Sequence, residues 1–204
     1  MPSPGQAPRR AGTRGMPRAL REQSILDVAG QVFARGGYFS SSMDEIAELA
    51  GVSKPMLYAY FGSKEGLYVA YVDRTGQELL DRLEQAGSHV RDPLARLKAR
   101  IEEFLAFVEE YRDGWTVLFR ELTSTQPFAE KVAVLRAQIA DAVRRMIQSS
   151  APDPCLDDRA SDAVAHAIVG AGESLANWWL EHPEVPRRQV ADWYVNVVKA
   201  SLTA

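Results

Sequence analysis

The chain has 204 residues, a hydrophobic content of 46% and a formal net charge of −3. This apolar content can bury a substantial core, and the small net charge excludes a polycation that coats nucleic acid by charge alone. The single cysteine, Cys155, excludes an intrachain disulfide and a zinc site built from cysteines. Because no apolar run reaches the ~18 residues of a membrane span and no secretory signal is recognisable, we expect a cytoplasmic protein with no membrane partner.

Residues 1–17 are rich in Pro, Gly and Arg, and we interpret them as a disordered basic tail. Residues 1–67 carry a net charge of +2, whereas residues 68–204 carry −5. The arginines behind the basic excess are Arg9, Arg10, Arg14, Arg18 and Arg21. This asymmetry is typical of a phosphate-facing N-terminus on an acidic body, and a solvated tail would show the same charges.

From about residue 18 onward the apolar residues recur with a helical period, and no alternating pattern persists long enough to predict a sheet. We therefore predict an all-α fold. The spacing of Gly, Pro and capping residues divides this region into about nine helices. In chain order they span about 18–35, 43–50, 53–60, 64–86, 92–111, 113–122, 127–149, 157–181 and 187–202.

The segment 41–61 has the spacing of a helix-turn-helix. A helix capped by serine is followed by a four-residue turn, Ala50 to Ser53, and then by a second helix. Gly51 lies where the chain must turn sharply, which glycine can do without strain. The apolar residues expected to fix the two helices at a steep angle are Ile46, Ala47, Val52, Leu57 and Phe61.

The outward residues of this segment suit a DNA groove. Lys54 offers charge to a phosphate, tyrosines offer hydroxyl groups, and small apolar side chains can touch thymine methyl groups. Serines and a lysine at helix starts lie where free backbone amides favour a phosphate. The candidate DNA-contacting residues are Ser41, Ser42, Ser53, Lys54, Pro55, Met56, Tyr58, Ala59, Tyr60 and Lys64. Tyr58 could instead be partly core, and Lys64 an ordinary exposed cap residue.

The run from Gly37 to Leu67 strongly resembles the tetracycline-repressor family of transcription regulators. The likeness is carried by IAELAGVS at 46–53 and LYAYFGSKEGL at 57–67, and with the preceding helix it covers about residues 18–70. The resemblance implies a homodimer with a three-helix DNA-binding head, 18–66, joined to a helical ligand-binding and dimerisation body, 67–204. Such proteins usually repress transcription by binding a palindromic operator on double-stranded DNA, and they release the DNA when a small molecule binds.

This chain departs from the family pattern at two places. Many members have Thr where this chain has Ser41, and many have small residues where it has Pro55 and Met56. Pro55 lacks a backbone donor, so the base preference of relatives cannot be transferred to this chain.

The predicted helices between 92 and 149 are rich in aromatic residues, which leave irregular apolar gaps when packed in a small helical body. Apolar pockets with a few polar groups are where small ligands bind. We therefore predict an apolar or amphipathic effector among residues 104–177. The candidate ligand-binding residues are Phe104, Phe107, Tyr111, Trp115, Phe119, His166, Glu173 and Asn177. His166 could instead be a buried histidine with its hydrogen bonds satisfied.

The last two predicted helices each carry a wide apolar stripe that could be core or a dimer interface. Aromatic residues are enriched at interfaces, and recognition of a two-fold operator needs two copies of the recognition helix. The candidate dimer residues are Val164, Ile168, Ala171, Leu175, Trp178, Val190, Trp193, Tyr194 and Val197.

The sequence also bears on three other functions. The chain has no GxSxG, HExxH, P-loop or GxGxxG signature, so we expect no enzyme, no catalytic residues, no metal site and no cofactor. A redox-responsive regulator would use Cys155, which lacks nearby positive charge in sequence to lower the pKa of its thiol. An activator cannot be separated from a repressor, because the two differ in where the operator lies.

Overall fold

A computed structural model describes residues 16–116, 128–150 and 157–203. The described residues form nine helices, which confirms the predicted all-α class. They are α1 (Arg18–Ser40), α2 (Met43–Ala50), α3 (Lys54–Phe61), α4 (Lys64–Ser88), α5 (Pro93–Glu110), α6 (Arg112–Thr116), α7 (Phe128–Ser150), α8 (Asp158–Glu181) and α9 (Arg187–Thr203). The predictions for the tail up to residue 15, for Phe119 and for Cys155 lie outside the described residues.

None of the helices in the described ranges is long and apolar enough to cross a membrane.

The chain divides into two compact units between Tyr71 and Val72, within α4. We placed this boundary at residue 66 from the sequence. The N-terminal unit extends further because Leu67 and Tyr68 are fully buried, and the ring of Tyr68 packs edge-on against Phe33 with centroids 4.8 Å apart. The first turns of α4 therefore complete the core of the N-terminal unit.

The N-terminal unit is built around fully buried side chains from its first three helices, among them Phe33, Ile46 and Leu57. Helix α1 loses helical geometry at Gly37, where φ is 72°. The sequence predicted the end of the first helix at this glycine, and the structure continues it as a kinked segment to Ser40.

The C-terminal unit packs α7 against α8 and α5 against α9. Its core includes the fully buried residues Leu105, Ala165 and Val198. Asp92 caps α5 and Asp157 caps α8, each by accepting a backbone N–H from the first turn. Burial of these core side chains holds together the helices that surround a cavity.

Candidate functional site

The turn between α2 and α3 has the geometry predicted for a helix-turn-helix. Gly51 adopts the left-handed conformation with φ 65°, which favours glycine over any residue with a side chain. The Val52 N–H donates to the Ala47 carbonyl at 3.0 Å. Ser53 then caps α3 by accepting the Met56 N–H at 3.3 Å. These local interactions fix where α3 begins relative to α2.

Helix α3 buries one face and exposes the other. Leu57 is fully buried, whereas Lys54, Pro55, Tyr58 and Ala59 are exposed. The Tyr58 side chain is 42% exposed, so it is not the partly core residue that was one possible interpretation. The outward face therefore combines a cation, a phenol and small apolar groups.

Lys54 forms an ion pair with Asp44 of α2, with 2.8 Å between Nζ and Oδ1. The hydrogen bond that Lys54 donates to Asp44 raises the pKa of Lys54 above its ordinary value. Asp44, Glu45 and Glu48 are exposed on α2 and would repel a phosphate. A phosphate at Lys54 must compete with Asp44 for the ammonium group.

Three further candidates lie at the starts of α2 and α4. Ser42 is exposed and caps α2 through the Glu45 N–H at 3.1 Å. Ser41 is buried and its hydroxyl donates to the Tyr38 carbonyl at 2.7 Å, so this hydroxyl does not face solvent in the described conformation. Lys64 donates to the Phe39 carbonyl at 3.1 Å, and burial lowers its pKa.

Two arginines of α1 lie against α3, and the list of candidates from the sequence missed them. Arg21 donates to the Tyr60 hydroxyl at 3.4 Å, and the Arg18 guanidinium lies 5.1 Å from the centre of the Tyr60 ring. The basic residues were visible in the sequence. Their proximity to Tyr60 was not, because 39 positions separate Arg21 from it.

The C-terminal unit contains a cavity of about 670 Å³. Three of the candidate ligand-binding residues, Phe104, Trp115 and Glu173, line it. The walls also include aliphatic residues that sequence reasoning missed: Leu80, Leu83, Ile139, Val143 and Met146. The volume falls in the range of about 300–1,000 Å³ that is typical of small-molecule sites.

Other predicted ligand residues do not line this cavity. Phe107 stacks on Tyr111 with ring centroids 4.5 Å apart, and the Tyr111 hydroxyl donates to Glu78 at 2.8 Å. Asn177 accepts the Trp115 indole N–H at 3.0 Å, so it orients a lining residue instead of lining the cavity itself.

His166 does not line this cavity, and its exposure shows that the interpretation as a buried histidine is wrong. Its side chain is 57% exposed, and its Nδ1 lies 3.0 Å from the Asp162 carbonyl oxygen. Glu173, on the same helix, is largely buried and forms an ion pair with Arg136 at 2.7 Å. The cavity therefore has one buried carboxylate whose charge is already balanced.

The predicted dimer residues separate into two groups. Ile168, Val190 and Tyr194 are buried in the core of their own unit, so they cannot contact a partner in this conformation. Trp178, Trp193 and Val197 are exposed, and the two indole rings lie 6.2 Å apart. The remaining candidates, Val164, Ala171 and Leu175, are partly buried.

Both parts of the chain match models of known protein families. Residues 25–71 match the model for bacterial regulatory proteins of the tetR family, and residues 93–201 match the tetracyclin repressor-like C-terminal domain. The HTH-type transcriptional activator FasR of Mycolicibacterium smegmatis is 35% identical over 174 residues, which are 85% of this chain and 78% of that protein.

Solved structures share the fold. A TetR-like regulator from Rhodococcus sp. RHA1 is 34% identical with a TM-score of 0.73, covering 93% of this chain and 99% of that one. The regulator FadR of Bacillus subtilis was solved in complex with stearoyl-CoA. It has a TM-score of 0.72 at 20% identity, and the match covers 86% of this chain and 96% of that one. All three of these proteins are described as transcription regulators.

Proposed function

This chain belongs to the TetR family of DNA-binding transcription regulators, and from that premise we propose that it is a homodimeric repressor of a palindromic operator. In this proposal a small apolar or amphipathic effector binds the C-terminal unit and releases the DNA. The observation that carries the proposal is the exposed face of α3, which follows a capped turn and presents Lys54 and Tyr58 to solvent.

Helix α3 would enter the major groove. Its first turn presents Pro55 and Met56, whose apolar surfaces fit thymine methyl groups, and Ala59 follows one turn later on the same helix. Lys54 and Tyr58 would hold the phosphate backbone, which positions the helix without reading sequence. Arg18 and Arg21 add two cations beside Tyr60 and would strengthen the same backbone contacts.

Dimerisation would use the exposed parts of α8 and α9. Trp178, Trp193 and Val197 expose apolar surface whose contact with water is unfavourable. Ala167 and Gly170 are also exposed on α8, and such small residues permit the close approach of a second helix. A two-fold axis through this face would supply the second recognition helix that a palindromic operator requires.

The effector would occupy the cavity of about 670 Å³. Its aromatic and aliphatic walls favour an apolar chain or ring system, as expected for burial of apolar surface. FadR, a protein of the same fold, was solved with stearoyl-CoA. An acyl compound is therefore the effector class that we propose to examine first.

Coupling would pass along α4, which is continuous from Lys64 to Ser88 and contributes to both units. A ligand that binds one arrangement of the C-terminal unit more tightly shifts the population toward that arrangement. Specific binding by a dimer requires its recognition helices to match successive major grooves, roughly 34 Å apart. A change of that spacing would weaken binding to the operator.

Activation is the second candidate, because the relative with 35% identity is named as an activator. The contacts with DNA would be the same, and the position of the operator would decide whether transcription is activated or repressed. Cys155 lies outside the described residues, so the redox-responsive alternative stays a prediction.

The test is fluorescence anisotropy with DNA from the region upstream of the gene, measured across a salt series. Specific binding that weakens steeply with salt supports the proposal. Lys54→Ala combined with Tyr58→Ala should weaken it by at least about tenfold. The matched control is Lys131→Ala, which removes a similar surface ion pair, Lys131–Asp73 at 3.0 Å, from the C-terminal unit. Binding that ignores both DNA sequence and these variants would instead indicate non-specific association through the arginine-rich tail.

A further inference from the structure

The α5 wall of the cavity changes from cationic to aromatic along the helix. Arg96, Arg100 and Phe104 all line the cavity. They are spaced four residues apart, so they occupy one side of α5 over about 12 Å. Trp115 continues the apolar end, with its ring 5.6 Å from that of Phe104 in an edge-to-face contact. This wall has the polarity of a site for a molecule with one charged end and one apolar end.

Gly87 lets the two arginines pack against the last turns of α4. A Cβ atom at this buried position would lie 2.5 Å from Nε of Arg100 and 2.9 Å from Cγ of Arg96. Any larger residue would displace the guanidinium of Arg100. Nε of Arg100 also donates to the Leu83 carbonyl at 3.2 Å. The position of the Arg100 side chain is thus set by helix packing and one hydrogen bond.

The charge of Arg100 is poorly compensated. Within the part of the chain that the structure describes, this residue makes that single hydrogen bond and no ion pair. Its pKa lies below the ordinary value, first because the side chain is partly buried and then because Arg96 lies close by, while Glu84 opposes the shift. Two like charges one turn apart repel each other, and an anion bound between them would relieve this repulsion.

Several other charged residues of the cavity have partners of their own, whereas Glu84 is exposed and acts on Arg100 only through its charge. Arg145 is paired with Asp141, and Glu173 is paired with Arg136. Asp81 accepts a hydrogen bond from the Gln77 amide at 2.8 Å. Arg100 therefore differs from the other cavity arginine outside α5, because the charge of Arg145 is already neutralised.

We propose that Arg96 and Arg100 form an anion-binding subsite of the cavity and that the effector is an amphipathic anion. Its carboxylate or phosphate group binds the two guanidinium groups, and its apolar chain extends along α5 toward Phe104 and Trp115. This inference rests on the proposed function, in which the cavity holds the effector. Guanidinium groups suit both anions because their planar N–H groups can donate two parallel hydrogen bonds.

The experiment is isothermal titration calorimetry of the full chain with three probes that carry the same alkyl chain: dodecanoate, dodecanoyl-CoA and dodecanol. Wild type should bind at least one of the anions more tightly than the alcohol. Arg100→Gln should weaken binding of that anion roughly ten- to hundredfold and change binding of dodecanol by less than about threefold. Tighter binding of the carboxylate or of the phosphate-bearing thioester would show which anion is the ligand.

Two further variants separate the subsite from general damage to the fold. Arg145→Gln removes a cavity arginine that is already paired, so it should change the affinity for the anions by less than about threefold. Arg100→Lys keeps the charge and should bind the anion more tightly than Arg100→Gln. It also serves as the test variant if Arg100→Gln does not fold.

The outcomes distinguish this inference from the proposed function. Equal affinity of wild type for dodecanol and for both anions, or equal loss in Arg100→Gln and Arg145→Gln, would overturn the anion subsite and leave an apolar effector cavity. Failure of all three probes to bind wild type would overturn the subsite together with the proposed acyl effector, while the DNA-binding test above would still decide the regulator.

Discussion

Arg82 of α4 donates from Nε to Glu103 of α5 at 2.6 Å. Its Nη1 donates to Glu110, nearer the C-terminal end of α5, at 2.8 Å. These hydrogen bonds, that with Glu110 foremost, raise the pKa of Arg82 above its ordinary value. The guanidinium also lies 5.4 Å from the centre of the Phe107 ring. One side chain therefore ties the second half of α4 to two turns of α5, beside the cavity.

Replacement of Arg82 by Met should lower the free energy of unfolding by about 1–2 kcal/mol, because two charge-assisted hydrogen bonds at a partly buried site are lost. Urea denaturation monitored by circular dichroism measures this. The control is Arg187→Met, which removes a more exposed ion pair with Glu109 and should cost less than about 0.5 kcal/mol. Equal losses in the two variants would contradict the assignment of Arg82 as the stronger link.

Gly51→Ala should destabilise the N-terminal unit by about 1 kcal/mol or more, because φ at this position is 65° and a Cβ is strained there. No atom of a residue distant in sequence lies within 4 Å of the added Cβ, so the loss would come from the local backbone alone. Gly36→Ala is the control. Its backbone is helical and its nearest contact is 3.8 Å away, so alanine should leave stability unchanged or raise it. Thermal unfolding of both variants tests this, and a stabilised Gly51→Ala variant would be inconsistent with the described turn.

The ion pair between Lys98 of α5 and Asp192 of α9 should make stability depend on pH. The hydrogen bond from Lys98 lowers the pKa of the Asp192 carboxyl in the folded chain. A carboxyl with a lowered folded pKa stabilises the fold above its unfolded pKa of about 4, and this stabilisation is lost as the pH falls through the folded pKa. Asp192→Asn should therefore be less stable than wild type at pH 7, and the difference should vanish in acid. A difference that stays constant between neutral and acidic pH would refute the role of this pair.

The exposed face of α9 should be required for dimerisation. Val197 and Val134 are both exposed valines, at 57% and 55%, and only Val197 lies on the proposed dimer face. Val197→Glu would bury a charge in the dimer interface and should shift the protein toward monomer, whereas Val134→Glu should not. Sedimentation velocity of the two variants and wild type decides this. A monomeric wild type, or dissociation by both substitutions, would show that α9 does not form the interface.

The helix-turn-helix could be predicted because its determinants are local in sequence. Gly51 marks the turn, and Ser42 and Ser53 cap the helices that flank it through hydrogen bonds three residues away. The contact between Arg21 and Tyr60 could not be predicted in this way, since it depends on how α1 packs against α3.

The cavity was harder to predict, because a helix with apolar residues on several faces does not reveal which face is inward. Phe104 and Phe107 are three residues apart, yet Phe104 lines the cavity while Phe107 lies under Arg82. Adjacent Trp178 and Trp179 show the same ambiguity, with the first exposed and the second buried. The role of Arg100 is visible only once Leu83 and Gly87 of α4 lie beside it.

The most direct test of ligand-controlled DNA binding is to add effector to a preformed complex of the chain with its operator. Anisotropy of labelled DNA reports release, and calorimetry on the same samples reports occupancy of the cavity. The account predicts that operator affinity falls by roughly 5- to 150-fold as the cavity fills, and that operator weakens effector binding by the same factor. A cavity that saturates while the operator affinity stays constant would contradict it.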